Sequence, residues 1–173
     1  MTLNTGNVGG TTVQVINLPP TTITRAEMTV LQFTEANPHL RNFVSKIFVR
    51  LGTLEVFGQM SWTSMCNLFP AFLKLLQKHY PSASLFLCSV LPVEDDCNSA
   101  VTRQNVTYIN SWMFSMCNPD IKIYYLNFYA MFIKQYGKNY GMFKDNRSLT
   151  EYGESMLLKY YQDIVQNKLL MIV

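Results

Sequence analysis

The sequence predicts an α/β fold built on a parallel sheet. Three short apolar segments, Lys46–Leu51, Ser84–Leu91 and Asp120–Asn127, alternate with two longer amphipathic segments, Trp62–His79 and Ser99–Cys117. Consecutive parallel strands need long, usually helical, connections, so this alternation is typical of α/β proteins. The chain has 173 residues and contains no repeat, which predicts one folding unit with a full core.

Composition narrows the class of protein. Hydrophobic residues make up 49% of the chain and charged residues 14%, below the roughly 25% of an average soluble domain, so disorder is excluded. A net charge of +3 is too small to indicate nucleic-acid binding by itself. Neither a signal-peptide pattern nor an apolar run of membrane-spanning length occurs. We therefore expect a single domain over 1–173 in an intracellular, cytoplasmic protein.

The residues that bind metals are sparse. Cys66, Cys88, Cys97 and Cys117 form no Cys-x-x-Cys pair, and the chain has only 2 histidines, so neither a metal site nor a cofactor is predicted. Reduced thiols are expected, and a Cys88–Cys97 bridge is the alternative for a secreted chain. The consecutive carboxylates at 94–96 point in different directions, which favours a solvated turn over a cation site.

The N-terminal third reads as a loop, a strand and a helix. Thr5–Thr12 is rich in Gly and Thr and predicts a loop, whereas the β-branched Thr12–Asn17 predicts a strand. A helix is predicted to begin near Thr24, because Glu27 three residues later completes a capping box, and to end before the Asn37-Pro38 pair.

The later elements follow from apolar spacing. Trp62–His79 repeats apolar residues at three- and four-residue intervals and is closed by Tyr80-Pro81. A final helix is predicted from Thr150-Glu151 to about Asn167. Helix Ser99–Cys117 is expected to turn six apolar residues inward: Val101, Val106, Ile109, Trp112, Met113 and Met116.

Ligands of parallel sheets bind beyond the carboxyl ends of the strands, so the loops at 52–61, 92–98 and 134–149 are where a site is expected. Gly52 ends an apolar strand, and a glycine there lets neighbouring backbone N–H groups face an anion. Asp145 precedes the last helix and is placed to orient a base. Taken alone, both fragments are more simply turns.

Considered together, these fragments resemble the SGNH (GDSL-type) hydrolase superfamily of esterases and lipases. The segments 7–12 and 48–55 are similar to its glycine block and its V-x-x-G-T-N-D block, and 81–93 is similar to its P-x-A-x-I-x-L-x-S-x-L-P strand. Residues 106–110 and 118–132 follow its I-x-x-L-N helix and V-x-Y-x-D strand, and 145–153 its D-G-x-H-L-T-x-x-G block. The resemblance implies a three-layer α/β/α architecture with a flavodoxin-like parallel sheet.

The departures from the family pattern bear on activity. No Gly-Asp-Ser nucleophile block occurs, Leu54 stands where the family has its oxyanion-hole asparagine, and Ser148 stands where it has the catalytic histidine. The remnants of the family site are Gly10, Gly52 and Asp145. The resemblance therefore implies an inactive domain kept as a binding or scaffold module, with a protein partner or a second copy of the chain.

Three alternatives stay open. The superfamily includes an inactive domain that binds RNA, and by that resemblance a basic, aromatic-rich stretch becomes a nucleic-acid patch. An esterase or acyl hydrolase whose nucleophile segment is absent from this chain is the second, and an unrelated flavodoxin-like receiver or nucleotide-binding domain is the third. Loss of the first strand would expose a sheet edge, which Thr12–Asn17 or an oligomer is expected to cover. The cations of the RNA patch are Lys134, Lys138, Lys144 and Arg147.

Overall fold

The computed structural model is an α/β protein with a small parallel sheet. It describes residues 2–8, 11–17, 22–52, 61–91, 100–130, 141–142 and 149–167. The described strands are β1 (Thr2–Val8), β2 (Thr11–Asn17), β3 (Lys46–Val49), β4 (Ser84–Cys88) and β5 (Ile123–Leu126). The longer helices are α1 (Ile23–Ala36), α2 (Trp62–His79), α3 (Ala100–Ser115) and α4 (Glu151–Asn167).

The central sheet has the order β3-β4-β5, with both pairs parallel. Lys46 is in register with Ser84, and Leu85 with Ile123, so the three strands begin at one edge and end at the other. We call these the amino edge and the carboxyl edge. The predicted alternation of strands and helices is confirmed.

Helices cover both faces of this sheet. Leu85 and Leu87 of β4 pack in one buried cluster with residues of α1, α2 and α3, whereas Phe86 and Cys88 pack in a second cluster with α4. The alternation along β4 explains the division, because successive strand side chains point to opposite faces. A strand buried on both sides reads as a continuous apolar run.

The N-terminal segment differs from the prediction. Residues 5–8 and 11–12 are strand and not loop, since β1 pairs antiparallel with β2 from Thr2 opposite Asn17 to Val8 opposite Thr11. β-Branched and alternating residues on both sides of the Gly-Gly pair match a hairpin pattern, which the glycine content masked. The two strands form a sheet of their own, and no described strand pairs with the outer edge of β3.

Two element starts are also corrected. The N-cap of α1 is Thr22, whose Oγ1 accepts from the Arg25 N–H at 3.4 Å, so the capping box at Thr24 was wrong. β5 starts at Ile123 and not at Asp120, because Pro119–Ile121 forms a 3-10 turn that Asn118 caps through the Asp120 N–H. The predicted bounds of α2, and the end of α4 at Asn167, are confirmed.

The inward face predicted for α3 is largely confirmed. Val106, Ile109 and Met113 are buried in the first cluster, and Trp112 and Met116 pack against it. Val101 lies outside the part of the chain whose side chains are described.

Candidate functional site

Gly52 is the predicted site residue that the structure describes. It is buried and lies just beyond β3 at the carboxyl edge. Its φ is +108°, a backbone conformation that residues with a side chain rarely adopt. The other predicted residues lie outside the described residues. They are Gly10, Leu54, Asp145 and Ser148, together with Lys134, Lys138, Lys144 and Arg147.

Apolar side chains fill the space beside Gly52. A Cβ atom at this position would lie 3.1 Å from Val90 Cγ2, 3.3 Å from Met113 Cε and 3.4 Å from Met65 Cε. These contacts join the ends of β3 and β4 to α2 and α3. The glycine is therefore required both by its backbone conformation and by close packing, and the space beside its Cα is apolar.

Asn110 fixes the backbone just beyond β4. Its Oδ1 accepts from the Val90 N–H at 2.8 Å, and its Nδ2 donates to the Val90 carbonyl at 3.0 Å. Val90 is 2% exposed, so both of its backbone groups need a protein partner. The sequence places Asn110 at the end of the 106–110 block but does not indicate its role. The one available sign was a polar amide next to Ile109, which was predicted to face inward.

Ser89 is the described serine at the carboxyl end of β4, and its hydroxyl is engaged. Its side chain is 1% exposed, and Oγ accepts from the Tyr129 N–H at 2.7 Å. Burial raises the pKa of Tyr125 to about 12, although a hydrogen bond with the Ser89 hydroxyl acts in the opposite direction. Ser89 thus joins the ends of β4 and β5 and is not presented to solvent as a nucleophile.

An ion pair links β3 to α4. Arg50 Nη1 and Nη2 each donate to one carboxylate oxygen of Glu154 at 3.2 Å. Burial alone would lower the pKa of the Arg50 guanidinium, but the hydrogen bonds and charge of Glu154 outweigh it, so the pKa is raised. Behind this pair, burial raises the pKa of the Cys88 thiol to about 12, and its sulfur lies 3.9 Å from the Tyr161 hydroxyl. The Cys88 thiol therefore stays un-ionised near neutral pH.

Thr150 anchors the segment that precedes α4. Its backbone N–H donates to the Met142 carbonyl at 2.8 Å, and its hydroxyl accepts from the Gly153 N–H at 3.1 Å as an N-cap. The same hydroxyl donates toward the carbonyls of Gly141 and Met142. Gly153 is needed here because a Cβ atom would collide with the Met142 carbonyl. Gly141 and Met142 are thereby held against the first turn of α4.

Both histidines of the chain lie at the amino edge. His39 is in the 3-10 helix Pro38–Asn42, which comes just before β3, and His79 is the last residue of α2, just before β4. Gly52, Ser89 and Val90 lie at the opposite edge. No histidine therefore reaches the carboxyl edge, where the sequence predicts a site.

Within the described ranges, no group of three or more His, Cys, Asp or Glu side chains is arranged to hold a metal ion. No helix in the same part of the chain is long and apolar enough to cross a membrane.

Comparison with known proteins gives a likeness of fold. A scan against protein-family models and a search of curated proteins find no match. Among solved structures, the chain is similar to one described as "The structure of a putative platelet activating factor from Streptococcus pneumonia", with a TM-score of 0.59 and 20% identity. The match covers 69% of this chain and 60% of that chain. At this identity the likeness concerns the fold alone.

Proposed function

We propose that the chain is an SGNH-hydrolase-like domain that has lost its catalytic residues and acts as a binding or scaffold module for a protein partner. The proposal includes the finer architecture, a three-layer α/β/α domain with a flavodoxin-like sheet. The parallel order β3-β4-β5 and the helices on both faces support it. Three of the blocks that resemble the superfamily, 48–55, 81–93 and 118–132, include residues of β3, β4 and β5.

The position of the histidines is the main support for the hypothesis that the domain is inactive. A Ser/His/Asp mechanism needs a base within hydrogen-bond reach of the nucleophile. His39 and His79 are at the amino edge, the length of a strand away from Gly52. Removal of a nucleophile or base costs on the order of 10⁶ in rate, and removal of one oxyanion donor about 10²–10³.

The side chains at the carboxyl edge support the same reading. The space beside Gly52 is occupied by Val90, Met113 and Met65, and none of these supplies a donor for an oxyanion. Leu54 and Ser148 replace the two polar residues that the family pattern requires. A binding role needs neither residue, and the low charged fraction of 14% fits a surface that meets a protein.

Hydrolysis of short-chain p-nitrophenyl esters tests the inactive reading. We expect the purified chain to match buffer, and Ser148→Ala and Asp145→Ala to leave that background unchanged. Hydrolysis above background that either substitution abolishes would overturn the proposal and favour the esterase alternative. Hydrolysis that neither variant alters would point to another site and would also contradict it.

The kind of partner and the compartment belong to the same proposal. RNA is the second candidate partner, and a gel-shift assay with single-stranded RNA and a Lys144→Ala/Arg147→Ala variant separates it from a protein. A cytoplasmic location is supported by Cys66, Cys88 and Cys117, which are free thiols. Reaction of the denatured chain with a thiol reagent, without prior reduction, should count every cysteine as reduced.

A further inference from the structure

The amino edge of the sheet carries a basic surface with exposed apolar side chains. Three segments meet there: 37–46 before β3, 74–84 at the end of α2, and 118–122 before β5. The predicted site lies at the other edge, so nothing derived above assigns a role to this one.

Hydrogen bonds from the last turn of α2 hold the three segments together. Arg41 Nη2 donates to the Lys78 carbonyl at 2.9 Å, and the neighbouring Gln77 Nε2 donates to the Ile121 carbonyl at 2.9 Å. The first residues of β4 complete the arrangement, since the Leu85 N–H donates to the Lys122 carbonyl at 2.8 Å. The surface is therefore supported by a fixed backbone.

Positive charge is concentrated on these segments. They contain 5 of the 14 Lys and Arg residues of the chain but only 1 of its 11 acidic residues, Asp120. Both histidines also lie here. The rest of the chain has 9 Lys and Arg residues against 10 acidic ones, so its summed charge shows no excess of cations, although four of them lie together in the stretch 134–147. Such clustering attracts acidic partners and speeds their association.

Two apolar side chains on the same segments are exposed. Phe43 is 79% exposed and Ile121 is 51% exposed. Burial of an exposed phenyl ring by a partner is favourable, and buried aromatic anchors dominate many protein interfaces. We call the set Arg41, Phe43, Lys46, Lys78, Ile121 and Lys122 the amino-edge surface.

We propose that the amino-edge surface docks an acidic segment of a protein partner that also carries apolar side chains. Its cations would meet the carboxylates, while Phe43 and Ile121 would contact the apolar residues. Single-stranded RNA fits less well, because such recognition stacks successive bases on several rings and Ile121 has no ring. The proposal goes beyond the inactive reading and does not depend on it, since an esterase could also dock a partner here.

Fluorescence anisotropy with the full chain tests this proposal. The probe is a labelled 12-residue peptide of alternating Asp and Leu, and the comparison peptide has Lys in place of Asp. We expect binding of the acidic peptide that weakens as NaCl is raised, and no binding of the basic one. Lys78→Glu/Lys122→Glu and Phe43→Ala should each weaken binding about tenfold.

Matched control variants show whether a loss of binding comes from the amino-edge surface or from a general change in charge or hydrophobicity. Lys159→Glu and Met28→Ala alter an exposed cation and an exposed apolar side chain on α4 and α1, and should leave binding unchanged. Equal loss in these controls, or absence of peptide binding, would overturn the proposal. Stronger binding of oligo(U) RNA or of phosphatidylserine vesicles, lost in the same charge variant, would also overturn it. Ester hydrolysis measured on the same variants reports separately on the inactive reading.

Discussion

Asn110 and Val90 form a two-bond clamp between α3 and the carboxyl end of β4. The amide of Asn110 satisfies both the N–H and the carbonyl of Val90, 20 positions away in the chain. Val90 also contacts the space beside Gly52, so the clamp fixes the backbone that closes the predicted site. The ends of β3, β4 and α3 are thus tied together by a few specific contacts.

Asn110→Ala should destabilise the protein by about 2 kcal/mol, because it leaves two backbone groups of a buried residue without partners. Asn105→Ala is the matched control, since Asn105 is exposed on the same helix and should change stability by less than about 0.5 kcal/mol. Urea denaturation of both variants measures the difference. Equal midpoints for the two would show that the clamp contributes nothing.

The extent to which the sequence predicts this fold depends on whether the determinants are local. The bounds of α2 follow from its apolar spacing and from Tyr80-Pro81, which lies immediately after the helix, so these determinants are local. The start of β5 was misjudged because apolar content extends into a turn that Asn118 and Pro119 impose on the backbone. Thr22 and Thr24 each carry a hydroxyl that can cap the helix, so only the structure shows that Thr22 is the N-cap.

The site is harder to predict than the fold. The role of Asn110 depends on Val90, and the role of Gly52 depends on Met65 and Met113, which lie on two different helices. Periodicity places a residue on a face but does not say what it touches across the sheet. The distribution of cations over the amino edge likewise becomes visible only after the three segments are brought together.

Gly52→Ala should cost more stability than Gly141→Ala. Both glycines have positive φ, +108° and +81°, so both substitutions strain the backbone by about 1–3 kcal/mol. At Gly52 the new methyl group would meet neighbours, whereas at Gly141 no atom of the described residues lies within 4 Å of it. The excess loss at Gly52 therefore measures the packing of Val90, Met113 and Met65. It would be read from urea midpoints, and a larger loss at Gly141 would contradict this account.

The Arg50–Glu154 pair should contribute little to stability although it is bidentate. Its two side chains are 37% and 55% exposed, and ion pairs in that range typically contribute about 0–1 kcal/mol. A double-mutant cycle with Arg50→Gln and Glu154→Gln gives the coupling energy directly. We expect that energy to fall further in 1 M NaCl because salt screens exposed charges. A salt-independent coupling well above 1 kcal/mol would show that the pair is effectively buried.

Stability should decline in the alkaline range because buried groups resist ionisation. Burial raises the pKa of Cys88 to about 12 and that of Cys117 to about 11, both from an ordinary value of 9.0. Above pH 9 the unfolded chain therefore holds fewer protons than the folded one, so the free energy of unfolding falls as pH rises. Each thiol contributes a slope of up to about 1.4 kcal/mol per pH unit until its folded pKa is reached.

Urea midpoints at pH 7, 9, 10 and 11 measure that decline, and Cys88→Ala isolates one contribution. The variant is expected to be less stable at pH 7, because a buried side chain is lost, yet to show a shallower decline between pH 9 and 11. The test is the slope of the free energy of unfolding against pH and not the absolute stability, because that slope gives the difference in bound protons between the unfolded and the folded chain. Identical slopes in the two proteins would mean that the Cys88 thiol ionises as readily in the folded chain as in the unfolded one.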